Sequence, residues 1–317
     1  MKKSIFYFLN ATLVMTVISV NSSCNKTAGA KDSAEKTETA MTAPYTPAEG
    51  WNNYWYQGKA ELTSYTLNQA RYTETHSGTV VNIFVTEDFS KSKHVKLDNP
   101  DAAGADKLPI LKLNQSYKFN TGIYPYSSMQ SVFMPVDMYN YPHAVKISSS
   151  VQEWCGVAFM QLNNYGERMS LQQFSYFESE GDKEFTFDPV YSEDELWTLI
   201  RLAPEKLPQG TFPILPGMIY LRYSHKPVKP YSATFTLKEN NNLHVYTIAV
   251  PELQKTLTIT FEKLFPYTIT GWEESYPVFS GEILTTTATL NKTMLIDYWN
   301  KHTNADRSLR KELGLPE

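Results

Sequence analysis

Cysteine is nearly absent: Cys24 and Cys155 are the two in a chain of 317 residues. A disulfide scaffold is thereby excluded, and the fold must rest on its hydrophobic core. Histidine is scarce as well. The six, at positions 76, 94, 143, 225, 244 and 302, show no metal-ligand spacing and have no C-x-x-C to help them, so neither a metal nor another cofactor is expected. Charge of neither sign dominates. Lys and Arg total 29 against 33 Asp and Glu, a net charge of −4. Without a basic block to neutralise phosphates, nucleic acid is not an expected partner. Also missing are G-x-S-x-G, a Walker A loop, G-x-G-x-x-G and H-E-x-x-H, the local signatures of hydrolase, nucleotide and zinc chemistry. The longest apolar run falls short of the roughly 20 residues that cross a bilayer as a helix.

What is present begins with an export signal. Lys2 and Lys3 precede an apolar run from Ile5 to Val20, and Asn21-Ser22-Ser23-Cys24 follows. Positive residues, an apolar stretch and then small residues are the order of a secretory signal. Small residues before a cysteine resemble a bacterial lipoprotein signal. That resemblance predicts removal of residues 1–23 and acyl chains on Cys24, which attach a protein to a membrane without spanning it. Residues 24–48 read as a tether. Lys, Thr, Ala, Ser and Glu dominate there, with no apolar periodicity and no aromatic before Tyr45, so too little surface can be buried to order the segment.

From about Trp51 to Leu290 the chain reads as strand after strand. Thr79–Thr86, Val145–Val151, Tyr231–Leu237, Leu243–Val250, Thr256–Phe261 and Ile283–Leu290 are rich in β-branched and aromatic residues, which suit a pleated, half-buried surface. Asn240-Asn241-Asn242 between two alternating runs predicts a hairpin, because Asn tolerates left-handed backbone. Ser192 and Glu195 have the spacing of a capping box before Leu196–Ile200, which predicts one short internal helix ending at Pro204. Leu295, Tyr298 and Trp299 at three-to-four spacing predict a helix over 293–302, and Asn304 caps a second one closed by Gly314. The expected class is mainly β: an antiparallel, two-lobed half-barrel or sandwich with a helical C-terminal tail. The Pro-rich stretch 203–216 is the natural seam, with an N-terminal lobe over 49–203 and a C-terminal lobe over 204–317, the two read as halves of one architecture.

Candidate chemistry is thin. Cys155, in Gln152-Glu153-Trp154-Cys155-Gly156, has His143 and Glu153 near it in sequence. Because Val157-Ala158-Phe159 continues a strand, a buried structural thiol is expected rather than a nucleophile. The acidic loops 178–182 and 98–106 lack EF-hand spacing and read as hairpin ends. Glu193-Asp194-Glu195 suits a helix N-terminus, where negative charge is favourable. Glu273 and Glu274 point to opposite faces of a strand and cannot jointly flank a bond. The aromatic strings containing Trp55, Tyr56, Tyr124 and Tyr126 remain as candidate walls of a ligand groove.

Several strings look alike as a group: Trp55-Tyr56-Gln57-Gly58-Lys59-Ala60-Glu61-Leu62, Gln69-Ala70-Arg71-Tyr72, Thr121-Gly122-Ile123-Tyr124-Pro125-Tyr126-Ser127, Gln152–Gly156 and the tail around Asp297-Tyr298-Trp299. Together they resemble an uncharacterised family of Bacteroidota lipoproteins whose members often carry the label "septum formation inhibitor Maf". True Maf proteins are cytosolic α/β pyrophosphatases with an S-x-S-x-x-R motif near the N-terminus. An export signal stands there in this chain, so no Maf catalytic residue is carried over. The order of β lobe, Pro-rich crossing, Arg222-bearing strand Tyr220–Tyr223 and second lobe also resembles envelope lipoprotein carriers, open half-barrels wrapped on a helix. That resemblance adds Arg222 to the ligand candidates. The resulting expectation is a non-enzymatic lipoprotein of the outer membrane, facing periplasm or surface, that binds an apolar or glycan ligand or an envelope partner. A periplasmic hydrolase assembled only in three dimensions is the second class.

Overall fold

Alternation of inward apolar and outward polar side chains builds almost everything between Ala60 and Ile296. The computed structural model describes residues 47–316, so the expected export signal, Cys24 and nearly all of the expected tether lie outside the described residues. A short helix, α1 (Trp51–Trp55), leads into two long strands, β1 (Ala60–Arg71) and β2 (Glu74–Ser90), with a stub, β3 (Val95–Lys96), beyond. Hairpins follow: β4 (Lys107–Thr121) with β5 (Tyr124–Pro135), β6 (Lys146–Glu153) with β7 (Gly156–Asn164), and β8 (Met169–Phe174) with β9 (Lys183–Phe187). After β10 (Tyr191–Ser192) the chain turns inward as α2 (Glu193–Leu202), returns through β11 (Gly210–Leu215) and forms α3 (Met218–Ser224). The meander resumes with β12 (Tyr231–Asn240), β13 (Leu243–Val250), β14 (Lys255–Glu262), β15 (Ile269–Pro277) and β16 (Ile283–Ile296), and α4 (Ser308–Glu312) lies in the tail.

All sixteen strands join one sheet, in the order β10-β11-β12-β13-β14-β15-β16-β1-β2-β4-β5-β6-β7-β8-β9, with β3 beside β2. The ladders are antiparallel except the stub pair β10–β11. The outermost strands, β9 and β10, are consecutive in the chain, separated only by Asp188-Pro189-Val190.

The sheet curls around its helices. All ten residues of α2 are buried, and the helix packs on β4, β5 and β10 while Trp197 meets Trp272 of β15 edge-on at 5.0 Å. Tyr223 of α3 is hydrogen-bonded to Ser128 of β5 at 2.7 Å, and Tyr220 stacks edge-on against Tyr276 of β15. Strands far apart in the ladder order thus share the same two helices, so the sheet curves around them as an open half-barrel does. Burying a side chain the size of Leu or Phe in such an interior contributes about 1.5–3 kcal/mol.

The capping box at Ser192 and Glu195 is present, and Asn241 takes the left-handed turn between β12 and β13. Three expectations need correction. Tyr220–Tyr223 is helical, not extended. Inside the barrel it has no strand to pair with, and Asp194 Oδ2 accepts the Met218 N–H at 3.1 Å, satisfying a donor at the start of α3. Residues 293–296 continue β16 because β1 offers an edge there, pairing Glu61 with Leu295, and a 3₁₀ turn at Tyr298–Asn300 takes the place of the rest of that helix. Cys155 is exposed, since the chain reverses at Trp154-Cys155 between β6 and β7.

The tail is docked. Leu313 packs with Ala60, Leu62 and Val85 on the outer face, and Ser64 Oγ donates to the Leu313 carbonyl at 2.5 Å.

Candidate functional site

Helix α3 divides two cavities. On one side lies a cavity of about 40 Å³ bounded by Glu193, Asp194, Glu274 and the side chains of Gln69, Gln115 and Gln130, room for about two or three waters. Lys255, buried beneath it, donates to both Glu193 oxygens at 2.8 and 2.7 Å and lies 2.9 Å from Glu274. Burial opposes the lysine's charge, but Glu193 and Glu274 hold its pKa above the usual value. Burial, and then the neighbouring Glu193, push Asp194 up to about 8, against the pull of the Met218 N–H. Gly217 is required here: a Cβ would sit 2.9 Å from Glu193 Oε1 and 3.1 Å from Asp194 Oδ1.

On the other side, between α3 and β7–β9, is a cavity of about 280 Å³. Ala158, Met160, Phe185, Leu221 and Val228 give it apolar walls. Its polar residues sit toward solvent: Lys183, His225 and Lys226 are exposed, and Glu180 is half-buried. Arg222 and Gln173 are buried, each only 9% exposed, and Arg222 carries the charge. Its guanidinium lies 4.5 Å over the Phe177 ring, 3.5 Å from His225 Nε2 and 3.9 Å from Glu180, and its Nε is buried without a partner. Glu180 accepts from Ser175 Oγ and from His225 Nδ1. Burial pushes its pKa up, but those two bonds and Arg222 bring it below the usual value. His225 ends α3 at φ 52°, left-handed backbone that strains a residue bearing Cβ by about 1–2 kcal/mol and directs the ring toward Glu180.

No family profile matches the chain, and no curated protein does. Among solved structures, it is similar to a beta-barrel-like protein of a domain of unknown function, DUF1849, from Brucella abortus. The two share 8% identity over 75% of this chain and 98% of that one, with a TM-score of 0.45.

The five ligand candidates do not meet. Trp55 is buried in α1, 5.2 Å from the Arg201 guanidinium, and half-exposed Tyr56 stands beside it against Trp51. Tyr124 and Tyr126 lie at the other end of β1, about 36 Å away at roughly 3.3 Å per residue. There their hydroxyls meet that of Tyr72 at 2.5 and 2.8 Å, and Arg71 fills the space between Tyr72, Tyr126 and Tyr223 at 4.7, 5.5 and 4.9 Å. The protein's own cation thus occupies that aromatic cage. Of the five, Arg222 lines one of these two cavities and the other four line neither.

Sequence reasoning missed Glu180, His225, Asp194 and Lys255, which converge from distant strands and loops. One signal was readable: Arg201 interrupts the apolar run of α2, and an unbroken helix face rarely carries a charge without a buried partner. That partner is Glu61, which accepts from Arg201 Nη1 and Nη2 at 2.5 and 2.6 Å.

Proposed function

We propose that this chain is a non-enzymatic binding or carrier protein of the bacterial envelope. Acyl chains on Cys24 hold it at the outer membrane, and an apolar ligand enters the 280 Å³ cavity beside α3. The cavity carries this reading. Its walls are apolar, a few polar groups converge on it, and its size lies near the low end of small-ligand pockets, about 300–1,000 Å³. A small ligand, or one end of a longer chain, suits it. The resemblance of its sequence strings to Bacteroidota lipoproteins and to half-barrel carriers supports the same reading.

A hydrolase fits the geometry less well. Ser175 is bonded to the carboxylate of Glu180 and not to the His225 ring, so the nucleophile–base contact of a triad is not made. At Cys155, the hydrogen bond to Glu153 and that residue's charge push the thiol pKa up, away from the thiolate that attacks. A glycan ligand is the second reading, and Trp154 favours it: two-thirds exposed, it stacks on Tyr124 with centroids 6.1 Å apart, a platform for a sugar face.

Two measurements test the proposal. N-phenyl-1-naphthylamine, a neutral apolar fluorophore, should brighten on binding the full-length protein. Ala158→Phe, which fills the cavity, should abolish the signal without lowering the unfolding midpoint by more than a few degrees. Unchanged brightening in that variant sinks the cavity reading. Cys24→Ala should move the protein from the membrane to the soluble fraction, and membrane retention without an acyl label on the wild type sinks the anchor.

A further inference from the structure

Resting on that reading of the cavity, we propose that its ligand is an amphiphile with a carboxylate head, such as a medium-chain alkanoate, and that the head displaces Glu180 from Arg222.

The cavity has two chemical ends. Ala158, Met160, Phe185 and Leu221 offer nothing to a polar group, whereas Arg222, His225, Lys183 and Lys226 gather around a single acid, Glu180. Of the two lysines, Lys183 donates to the Ser179 carbonyl at 3.2 Å, and neither has an acidic partner among the described residues. The apolar depth sets the tail of the ligand, and the excess of positive charge sets the sign of its head.

Arg222 sets the shape of the head. A guanidinium carries five N–H donors in a planar fork that matches the two oxygens of a carboxylate. Here the fork is buried and pressed on Phe177, but its contacts are 3.5 Å and 3.9 Å long and Nε has none. A buried charge left so incompletely bonded is unfavourable, and a bidentate carboxylate completes it. Glu180 does not do so: held by Ser175 and His225, it stays 3.9 Å from the guanidinium. It acts as a stand-in: close enough to offset the positive charge, too far to bond it. His225 fits the same arrangement, with Nδ1–H toward Glu180 and Nε2 accepting from Arg222.

The test is competition against N-phenyl-1-naphthylamine on the full-length protein at low salt, with octanoate and octanol as competitors of equal chain length. Octanoate should displace the probe at concentrations about tenfold to a hundredfold lower, the range for hydrogen bonds to a charged group. Arg222→Gln should erase that preference. Glu180→Gln should enlarge it, because the internal competitor is weakened. Equal displacement by the two in the wild type, or a preference that survives Arg222→Gln, overturns the carboxylate while leaving an apolar pocket standing. Probe binding that neither competitor reverses overturns the pocket together with its proposed ligand.

Discussion

Arg201 and Arg222 invite comparison, because both are buried, both sit on helices inside the barrel and both stack on aromatic rings. Arg201 is saturated. It grips Glu61 with two short bonds and gives Nε to the Pro266 carbonyl at 2.9 Å, tying the end of α2 to β1 and to the loop before β15. Arg222 keeps the aromatic stack without a matching carboxylate, and a cavity lies in front of it. The same side chain at similar burial thus serves as a bolt where its donors are used and as an open valence where they are not. Burial alone does not separate the two roles; the count of completed hydrogen bonds does.

Three measurements break or sharpen that contrast. The largest effect is expected at the bolt. Arg201→Ala leaves Glu61 buried and uncompensated, and urea unfolding should show a loss of about 3–5 kcal/mol. Replacing both partners, Arg201→Met with Glu61→Leu, should recover most of it. A single variant within about 1 kcal/mol of wild type would mean that Arg201 is no better satisfied than Arg222.

Asp194, at the opposite end of α2, is the next case. Its folded pKa, about 8, lies above the ordinary 3.8, so folding favours its protonated form. Its contribution is therefore intact below about pH 4 and is lost as pH rises toward 8. Asp194→Asn should match the wild type near pH 4 and gain on it, by roughly 1–3 kcal/mol at pH 8. Unfolding midpoints measured from pH 4 to 9 check this. A difference that is flat with pH would show that the Asp194 carboxylate is satisfied in its charged form.

The smallest effect belongs to Arg222→Gln. With few good bonds to lose, stability should change by less than about 1 kcal/mol, whatever happens to binding. A loss near that of Arg201→Ala would place Arg222 among the bolts.

Much of the β architecture was legible because a strand writes its burial into a period of two. Leu243–Val250 matches β13 end to end, and Ser192 with Glu195 announced the start of α2. Misreadings arose where partners decide. Leu295, Tyr298 and Trp299 have helical spacing, but an unpaired edge of β1 recruits residues 293–296 into the sheet. Tyr220–Tyr223 looks like a strand until Asp194 is seen at its amino end. The site is less legible still. Glu61 meets Arg201 across 140 residues and Glu193 meets Lys255 across 62, so no local pattern encodes either pair. Arg222 entered through the resemblance to half-barrel carriers, while Glu180 and His225 looked like ordinary loop residues.

The chain order of β9 and β10 has a mechanical consequence. The curled sheet is a split ring, and its two free lips are tied by Asp188-Pro189-Val190. Four Cα steps separate Phe187 from Tyr191, so at roughly 3.3–3.6 Å per residue the tie stretches no further than about 14 Å. No ladder of hydrogen bonds has to break for the ring to widen up to that limit, and none can form across the gap beyond it. The covalent clasp also guards the lips, because a strand from another molecule would have to thread beneath it to pair with both. A half-barrel tied in this way can widen at the tie by no more than that span.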